Sequence, residues 1–212
     1  MSTSLHRRAG ATLLAGAALT LAACVQVGIA SAGSTVPEDL YRAPLSHDAF
    51  VGLAVSNALI HLFILAGVIG LARTGVTGSS IAARAGLAAV IAGTALLFVC
   101  ELAMIPLVDE IGGSAWGTVV NSGFGLASAL ATFGMVAVGV ATVRSGAWTS
   151  WRRYAPLTCG LLSLAVIPIQ FTSAIWVGVG IYAIGYAVLG AALATDSAVR
   201  AESVATAPPR TA

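Results

Sequence analysis

The sequence predicts an all-α membrane protein, a bundle of six transmembrane helices whose N-terminus and C-terminus are both cytoplasmic. Hydrophobic residues make up 58% of the chain and charged residues only 8%, whereas about a quarter of the residues of a soluble domain are charged. Six apolar stretches are long enough to cross about 30 Å of hydrocarbon at about 1.5 Å per residue. Nine of the ten arginines fall on one side of these stretches, and the positive-inside rule makes that side the cytoplasm.

The predicted spans follow one another through short connections and form a single transmembrane domain over residues 1–195. They run near 10–31, 49–72, 85–107, 117–143, 154–172 and 175–195. Because their number is even, both termini share a side of the membrane. Residues 196–212 are rich in Ala, Ser, Thr and Pro, a composition that predicts a disordered cytoplasmic tail.

Charged residues give the orientation of the predicted bundle. The arginines assigned to the cytoplasm are Arg7, Arg8, Arg73, Arg84, Arg144, Arg152, Arg153, Arg200 and Arg210. Arg42 lies on the other side, together with the acidic residues Glu38, Asp39, Asp48, Asp109 and Glu110. The basic residues are therefore orientation signals facing a lipid bilayer. The net charge of +2 does not indicate nucleic-acid binding, and we expect no nucleic-acid partner. A chain without lysine and rich in Ala, Gly and Val is typical of a bacterial protein, here a multi-pass protein of the cell membrane.

The first span also allows a different interpretation. Arg7 and Arg8, an apolar stretch and then Leu21-Ala22-Ala23-Cys24 resemble a lipoprotein signal, which would be cleaved before a lipidated Cys24. The apolar stretch continues past Cys24 to Ala30, however, whereas a mature lipoprotein usually becomes polar directly after its cysteine. We therefore expect an uncleaved first helix.

The first four spans show a faint internal repeat, which predicts a bundle built from helical hairpins. Arg8-Ala9-Gly10 opens the first span as Arg84-Ala85-Gly86 opens the third, and Arg73-Thr74-Gly75 closes the second as Arg144-Ser145-Gly146 closes the fourth. The alternative is coincidence in a sequence dominated by Ala and Gly.

Polar side chains inside the spans are the candidate functional residues, because each is costly to place in hydrocarbon and should face the bundle interior. Glu101 lies about 12 Å below the outer boundary, at about the depth of Asn57, and His61 shares a helix face with Asn57 one turn deeper. Glu101 and His61 are predicted to form a ligand anchor or proton relay that Asn57 orients. The remaining predicted cavity-lining residues are Gln26, Asn121 and Gln170. Hydrogen bonds that merely hold the helices together are the alternative for every one of these residues.

No motif predicts a metal, a cofactor or a hydrolytic centre. His47 and His61 are spaced like haem ligands on one helix, but the partner histidines that two haems would need are missing, since His6 is the only other one. The three cysteines lack the pair spacing of a zinc site. No nucleotide-binding or hydrolase signature occurs.

One segment resembles known bacterial proteins. It comprises Phe133-Gly134, Gly139, Arg144-Ser145-Gly146, Trp148, Trp151-Arg152-Arg153, Pro156-Leu157 and Gly160. This pattern is similar to the later half of bacterial integral-membrane families classed as domains of unknown function. The resemblance implies a multi-helix membrane protein and no assigned reaction.

These observations leave three functions, in order. The first is a non-enzymatic structural or accessory membrane protein whose polar residues hold the helices together. The second is a small proton-linked transporter or ligand-binding protein, which takes a small molecule from the outer side into a cavity containing Glu101 and His61. The third is a membrane-embedded enzyme acting on a lipid or isoprenoid.

Overall fold

The computed structural model describes residues 3–169 and 175–205, with side chains described over 4–169 and 175–196. Its helices are α1 (Thr3–Ser31), α2 (His47–Thr74), α3 (Ile81–Met104), α4 (Ala115–Ser145), α5 (Ala155–Ser163), α6 (Val166–Ile169) and α7 (Ile175–Ala205). Two 3-10 turns, Ile105–Leu107 and Ser150–Tyr154, follow α3 and precede α5. The predicted all-α class is confirmed.

Five of these helices are long and apolar enough to cross a membrane. They cover Ser4–Ser31, His47–Thr74, Ile81–Leu107, Ala115–Ser145 and Ile175–Asp196. This result agrees with a multi-pass membrane protein and matches five of the six predicted spans.

The remaining predicted span, 154–172, is interrupted within the described residues. Helix α5 ends at Ser163, and the backbone turns before α6 begins at Val166. Pro168 explains the interruption, because its ring would clash with the carbonyl of Leu164, four residues earlier, in a continuous helix. Within the first turn of the separate α6 the missing N–H of Pro168 is tolerated. Residues 170–172 of this predicted span lie outside the described residues.

Helix ends are fixed by local sequence. The hydroxyls of Ser46, Ser80 and Ser114 accept hydrogen bonds from the backbone N–H three residues later and so cap α2, α3 and α4. Gly75 and Gly146 terminate α2 and α4 with positive φ angles of 73° and 65°, which glycine adopts without strain. Both repeated Arg-x-Gly tripeptides therefore end a helix. An origin of the bundle by duplication stays a prediction.

The long helices pack as antiparallel neighbours through glycines. An added Cβ on Gly93 of α3 would lie 2.6 Å from backbone atoms of Ala127 and Ala131 in α4. An added Cβ on Gly10 of α1 would lie 2.7 Å from the carbonyl oxygen of Gly190 in α7. Such close approach is how helices associate in lipid, where the hydrophobic effect does not drive contact between apolar surfaces.

Helices α5 and α6 complete a ring of neighbours around the bundle axis. Helix α1 packs between α2 and α7, α3 packs between α2 and α4, and α5 packs between α4 and α7. Gly185 of α7 lies against Cys159, and Gly178, earlier in α7, lies against Val166 and Ile169. The segment from α5 to α6 therefore runs antiparallel to α7.

Acidic and basic side chains make contact at both ends of the bundle. At one end, Nε2 of the buried His6 in α1 lies 3.4 Å from Oδ2 of Asp196 in α7. At the opposite end, Arg42 and His47 both contact Asp109. Helix α7 continues to Ala205, past the predicted end of the last span; the side chain of Arg200 and the tail beyond Ala205, including Arg210, lie outside the described part of the chain.

Candidate ligand cavity

A cavity of about 590 Å³ lies in the half of the bundle that contains Arg42 and Asp109. Helices α2, α3, α4 and α7 supply most of its wall, and the connection between α1 and α2 covers it. A volume of this size is in the range that holds a drug-sized molecule. Its lining is mainly apolar and is interrupted by a small set of polar side chains.

The predicted pair of Glu101 and His61 meets at this cavity. Helix α3 carries Glu101 and helix α2 carries His61, and Oε1 of the carboxylate lies 3.5 Å from Nε2 of the imidazole. Their side chains are 9% and 13% exposed, so both are held away from bulk water. The other imidazole nitrogen, Nδ1, is buried and has no hydrogen-bond partner among the described residues.

Two of the predicted amide side chains also line the cavity. Asn57 lies one helical turn before His61 on α2, as its spacing predicted. Asn121 on α4 accepts a 2.7 Å hydrogen bond through Oδ1 from the hydroxyl of Tyr41. The cavity therefore brings together four of the six predicted residues, from three different helices.

Two other predicted residues, Gln26 and Cys24, lie elsewhere. Gln26 is exposed on α1 and lines a second pocket of about 340 Å³, between α1 and α2, beside Ser56. Gln170 lies outside the described residues. Cys24, the alternative lipidation site, is half-buried within the continuous helix α1.

The connection between α1 and α2 is held over the cavity as a cap, defined here as residues 32–46. The backbone N–H of Tyr41 donates to the carbonyl of Glu110 at 2.8 Å, and the N–H of Gly112 donates to the carbonyl of Asp39 at 2.8 Å. Arg42 Nη1 pairs with Asp109 Oδ1. These contacts attach the cap to the connection that follows α3.

Tyr41 couples the cap electrostatically to the cavity interior. Burial raises the pKa of its hydroxyl to about 12, and the nearby negative charge of Glu101 adds to that rise. Both causes favour the neutral phenol. Tyr41 therefore stays a hydrogen-bond donor to Asn121 at neutral pH.

Sequence reasoning missed the aromatic side chains of the cavity wall. They are Tyr41, Phe50, Phe124, Trp176 and Tyr182. In the sequence, Tyr41 and Trp176 lie near the predicted outer ends of spans, where Tyr and Trp commonly occupy the level of the lipid headgroups. That position alone gives them no role in a cavity. A helix in lipid has no polar face from which the inward direction of Phe124 or Tyr182 could be identified.

The site has the chemistry of binding and of proton exchange. A carboxylate and an imidazole 3.5 Å apart can exchange a proton, directly or through a bound water, and can hold a polar group of a ligand. Within residues 4–169 and 175–196, no cluster of three or more His, Cys, Asp or Glu could hold a metal ion.

Known families, curated proteins and solved structures yield no match to this chain. The resemblance of residues 133–160 to bacterial membrane families therefore stays a prediction.

Proposed function

We propose that this protein is a non-enzymatic membrane protein that binds a small amphiphilic molecule in the cavity, with Glu101 and His61 anchoring its polar end. The observation that carries the proposal is the position of the pair. The contact between Nε2 and Oε1 lies at the wall of a 590 Å³ cavity and not within a close-packed helix interface.

The imidazole of His61 is not fully satisfied by the described helices around it. A buried polar atom that lacks a hydrogen bond costs about 1–3 kcal/mol, and Nδ1 of His61 is such an atom among the described residues. Two helices that need only a polar contact would require neither this cost nor an adjoining cavity. Because Nδ1 is closed to solvent, a ligand in the cavity would meet the pair at the carboxylate of Glu101, which also lines it.

We propose the orientation that the arginines predict. The chain would cross the bacterial cell membrane six times, with both termini cytoplasmic and the interrupted α5 and α6 segment forming the fifth crossing. The antiparallel course of that segment along α7 supports this count, and the contact of His6 with Asp196 supports placing both termini on one side. The cap and the cavity would then face outward.

Ligand binding is tested with Trp176, which lines the cavity and can report occupancy by fluorescence. Protein in phosphatidylcholine nanodiscs is titrated with decanol, a neutral amphiphile, and we expect a saturable change. Trp176→Phe should remove the change, because the other three tryptophans do not line the cavity.

A matched pair of substitutions separates cavity binding from partition into lipid. Gly125 lines the cavity, and a Cβ added there meets open space, as does one at the exposed Gly28 of α1. Gly125→Phe should weaken binding by filling the cavity, whereas Gly28→Phe should leave it unchanged. Equal binding by both variants, or a wild-type response that does not saturate, would refute the proposal.

A proton-linked carrier is the second candidate, favoured by the direct approach of the acid to the imidazole. Its test is proton uptake into liposomes that carry an internal pH-sensitive dye, measured with and without decanol. Glu101→Gln and His61→Gln should each abolish uptake. Uptake that survives both substitutions would eliminate the relay and leave ligand binding untouched.

A further inference from the structure

We propose that the polar end of the ligand is a cation, a protonated amine carried on an apolar body. This inference rests on the proposed function and specifies its ligand class. It depends on the charges that face the cavity and on the chemistry of the cavity wall.

The cavity wall contains three side chains that can carry charge, Arg42, His61 and Glu101. Arg42 lies in the cap and is already paired with Asp109. Glu101 has no arginine partner in the described part of the chain, and its one ion-pair contact is with the imidazole of His61. The carboxylate is therefore the charge for which the interior lacks a permanent counter-ion.

The geometry of the pair leaves room for a second partner. Nε2 of His61 approaches Oε1 of Glu101, and no described residue donates a hydrogen bond to Oε2. An ammonium group has three donors, so it can donate to this second carboxylate oxygen; Nδ1 of His61 is closed to solvent and takes no part. An anionic ligand would face repulsion from the carboxylate, and a neutral alcohol would leave its charge uncompensated.

The aromatic wall favours the same class of ligand. The rings of Tyr41, Phe124, Trp176 and Tyr182 line the cavity, and aromatic faces attract organic cations, most strongly where water is excluded. The rest of the lining is mainly aliphatic and suits an alkyl or aryl body. A carboxylate, surrounding aromatic rings and an aliphatic lining are together sufficient to bind an organic ammonium ion.

The experiment compares three ligands with the same chain and different charge: decylamine, decanol and decanoate. Each is titrated into phosphatidylcholine nanodiscs at pH 7, where the amine is protonated, and the Trp176→Phe variant provides the background. We expect decylamine to bind about ten-fold or more tightly than decanol, the amount expected for a hydrogen bond to a buried charge. Decanoate should bind most weakly.

Glu101→Gln should bring the affinities for the amine and the alcohol to within about three-fold of each other, because only the charged contact is removed. Glu38→Gln is the matched control, since Glu38 is an exposed acid that does not line the cavity, and it should keep the wild-type preference. The wild-type comparison stands by itself if Glu101→Gln does not fold.

The outcomes separate this inference from the proposed function. Saturable binding of decanol and decylamine with equal affinity would refute the preference for a cationic ligand, while the cavity would remain the binding site. If decanoate binds most tightly, the polar end of the ligand is held by Arg42 or His61, and the inference of a cationic ligand is refuted. No saturable binding of any of the three would refute the proposed function itself.

Discussion

The close packing of α3 on α4 at Gly93 gives a quantitative prediction of stability. A Cβ at this position would lie 2.6 Å from Ala127 O and from Ala131 N, whereas ordinary contact begins near 3.4 Å. Because both obstructing atoms are backbone, no rotamer change relieves the clash, and the helices must separate locally by about 0.8 Å, the difference between those two distances.

Gly93→Ala should therefore lower the free energy of unfolding. Overpacking costs about 1–3 kcal/mol, and a clash with two backbone atoms belongs to the upper part of that range, about 2–3 kcal/mol. The better helix propensity of alanine returns about 1 kcal/mol. The net loss of about 1–2 kcal/mol corresponds to a melting temperature lower by about 2–8 °C for a chain of this size. The measurement is thermal unfolding in detergent, followed by the loss of the monodisperse peak in size-exclusion chromatography.

Gly28→Ala is the matched control. An added Cβ there meets nothing within 4 Å, and the residue is exposed on α1, so only the helix-propensity gain applies. We expect its melting temperature to equal or slightly exceed that of the wild type. If Gly93→Ala is as stable as this control, α3 and α4 do not approach so closely that a Cβ added at Gly93 would lie 2.6 Å from the backbone of α4.

Three further predictions concern the cap and the first helix. Asp109→Asn removes the charge that pairs with both Arg42 and His47. Since the Asp109 side chain is 64% exposed, global stability should change by less than about 1 kcal/mol, but trypsin should cleave after Arg42 faster than in an Asp39→Asn control. Equal rates would show that the pairs do not hold the cap. Tyr41 should ionise near pH 12, so between about pH 10 and 12 the unfolded chain has lost this proton while the folded protein keeps it, and stability falls as pH rises. Tyr41→Phe should reduce that alkaline loss; a tyrosinate signal near pH 10 that is present in the wild type and missing in Tyr41→Phe would contradict the burial. Globomycin should leave the gel mobility unchanged, because Cys24 lies inside a helix that packs on α2 and α7; a shifted band would show a lipoprotein.

The sequence carried enough information for the fold class, because composition and uninterrupted apolar length respond directly to the thickness of a bilayer. It also indicated the central pair, since an acid and a histidine within spans must face the interior. It did not give their separation. The 3.5 Å between Glu101 and His61 depends on how α2 rotates against α3, and helices that are apolar on every side do not encode that rotation as a periodic pattern.

The same lack of amphipathic signal explains the differences at other positions. Gln26 lines a separate pocket between α1 and α2. The sequence indicates the depth of a residue such as Gln26 in the membrane but not the direction in which its side chain points around the helix, so this position could not be predicted. The interruption at Leu164 follows from Pro168, but an apolar stretch with proline near its end also fits a kinked continuous helix. The structure shows the interrupted form, with α5 ending at Ser163 and α6 beginning at Val166.

The pairing of α1 with α7 has a consequence for biogenesis. Gly10 packs against Gly190, and α1 is synthesised before α7, so the face of α1 that carries Gly10 is covered only after α7 has been made. Until then that face is open to lipid or to another protein, and a chain cut short before α7 would keep it open. The contact that completes the packing of α1 therefore depends on the segment of the described chain most distant from it in sequence.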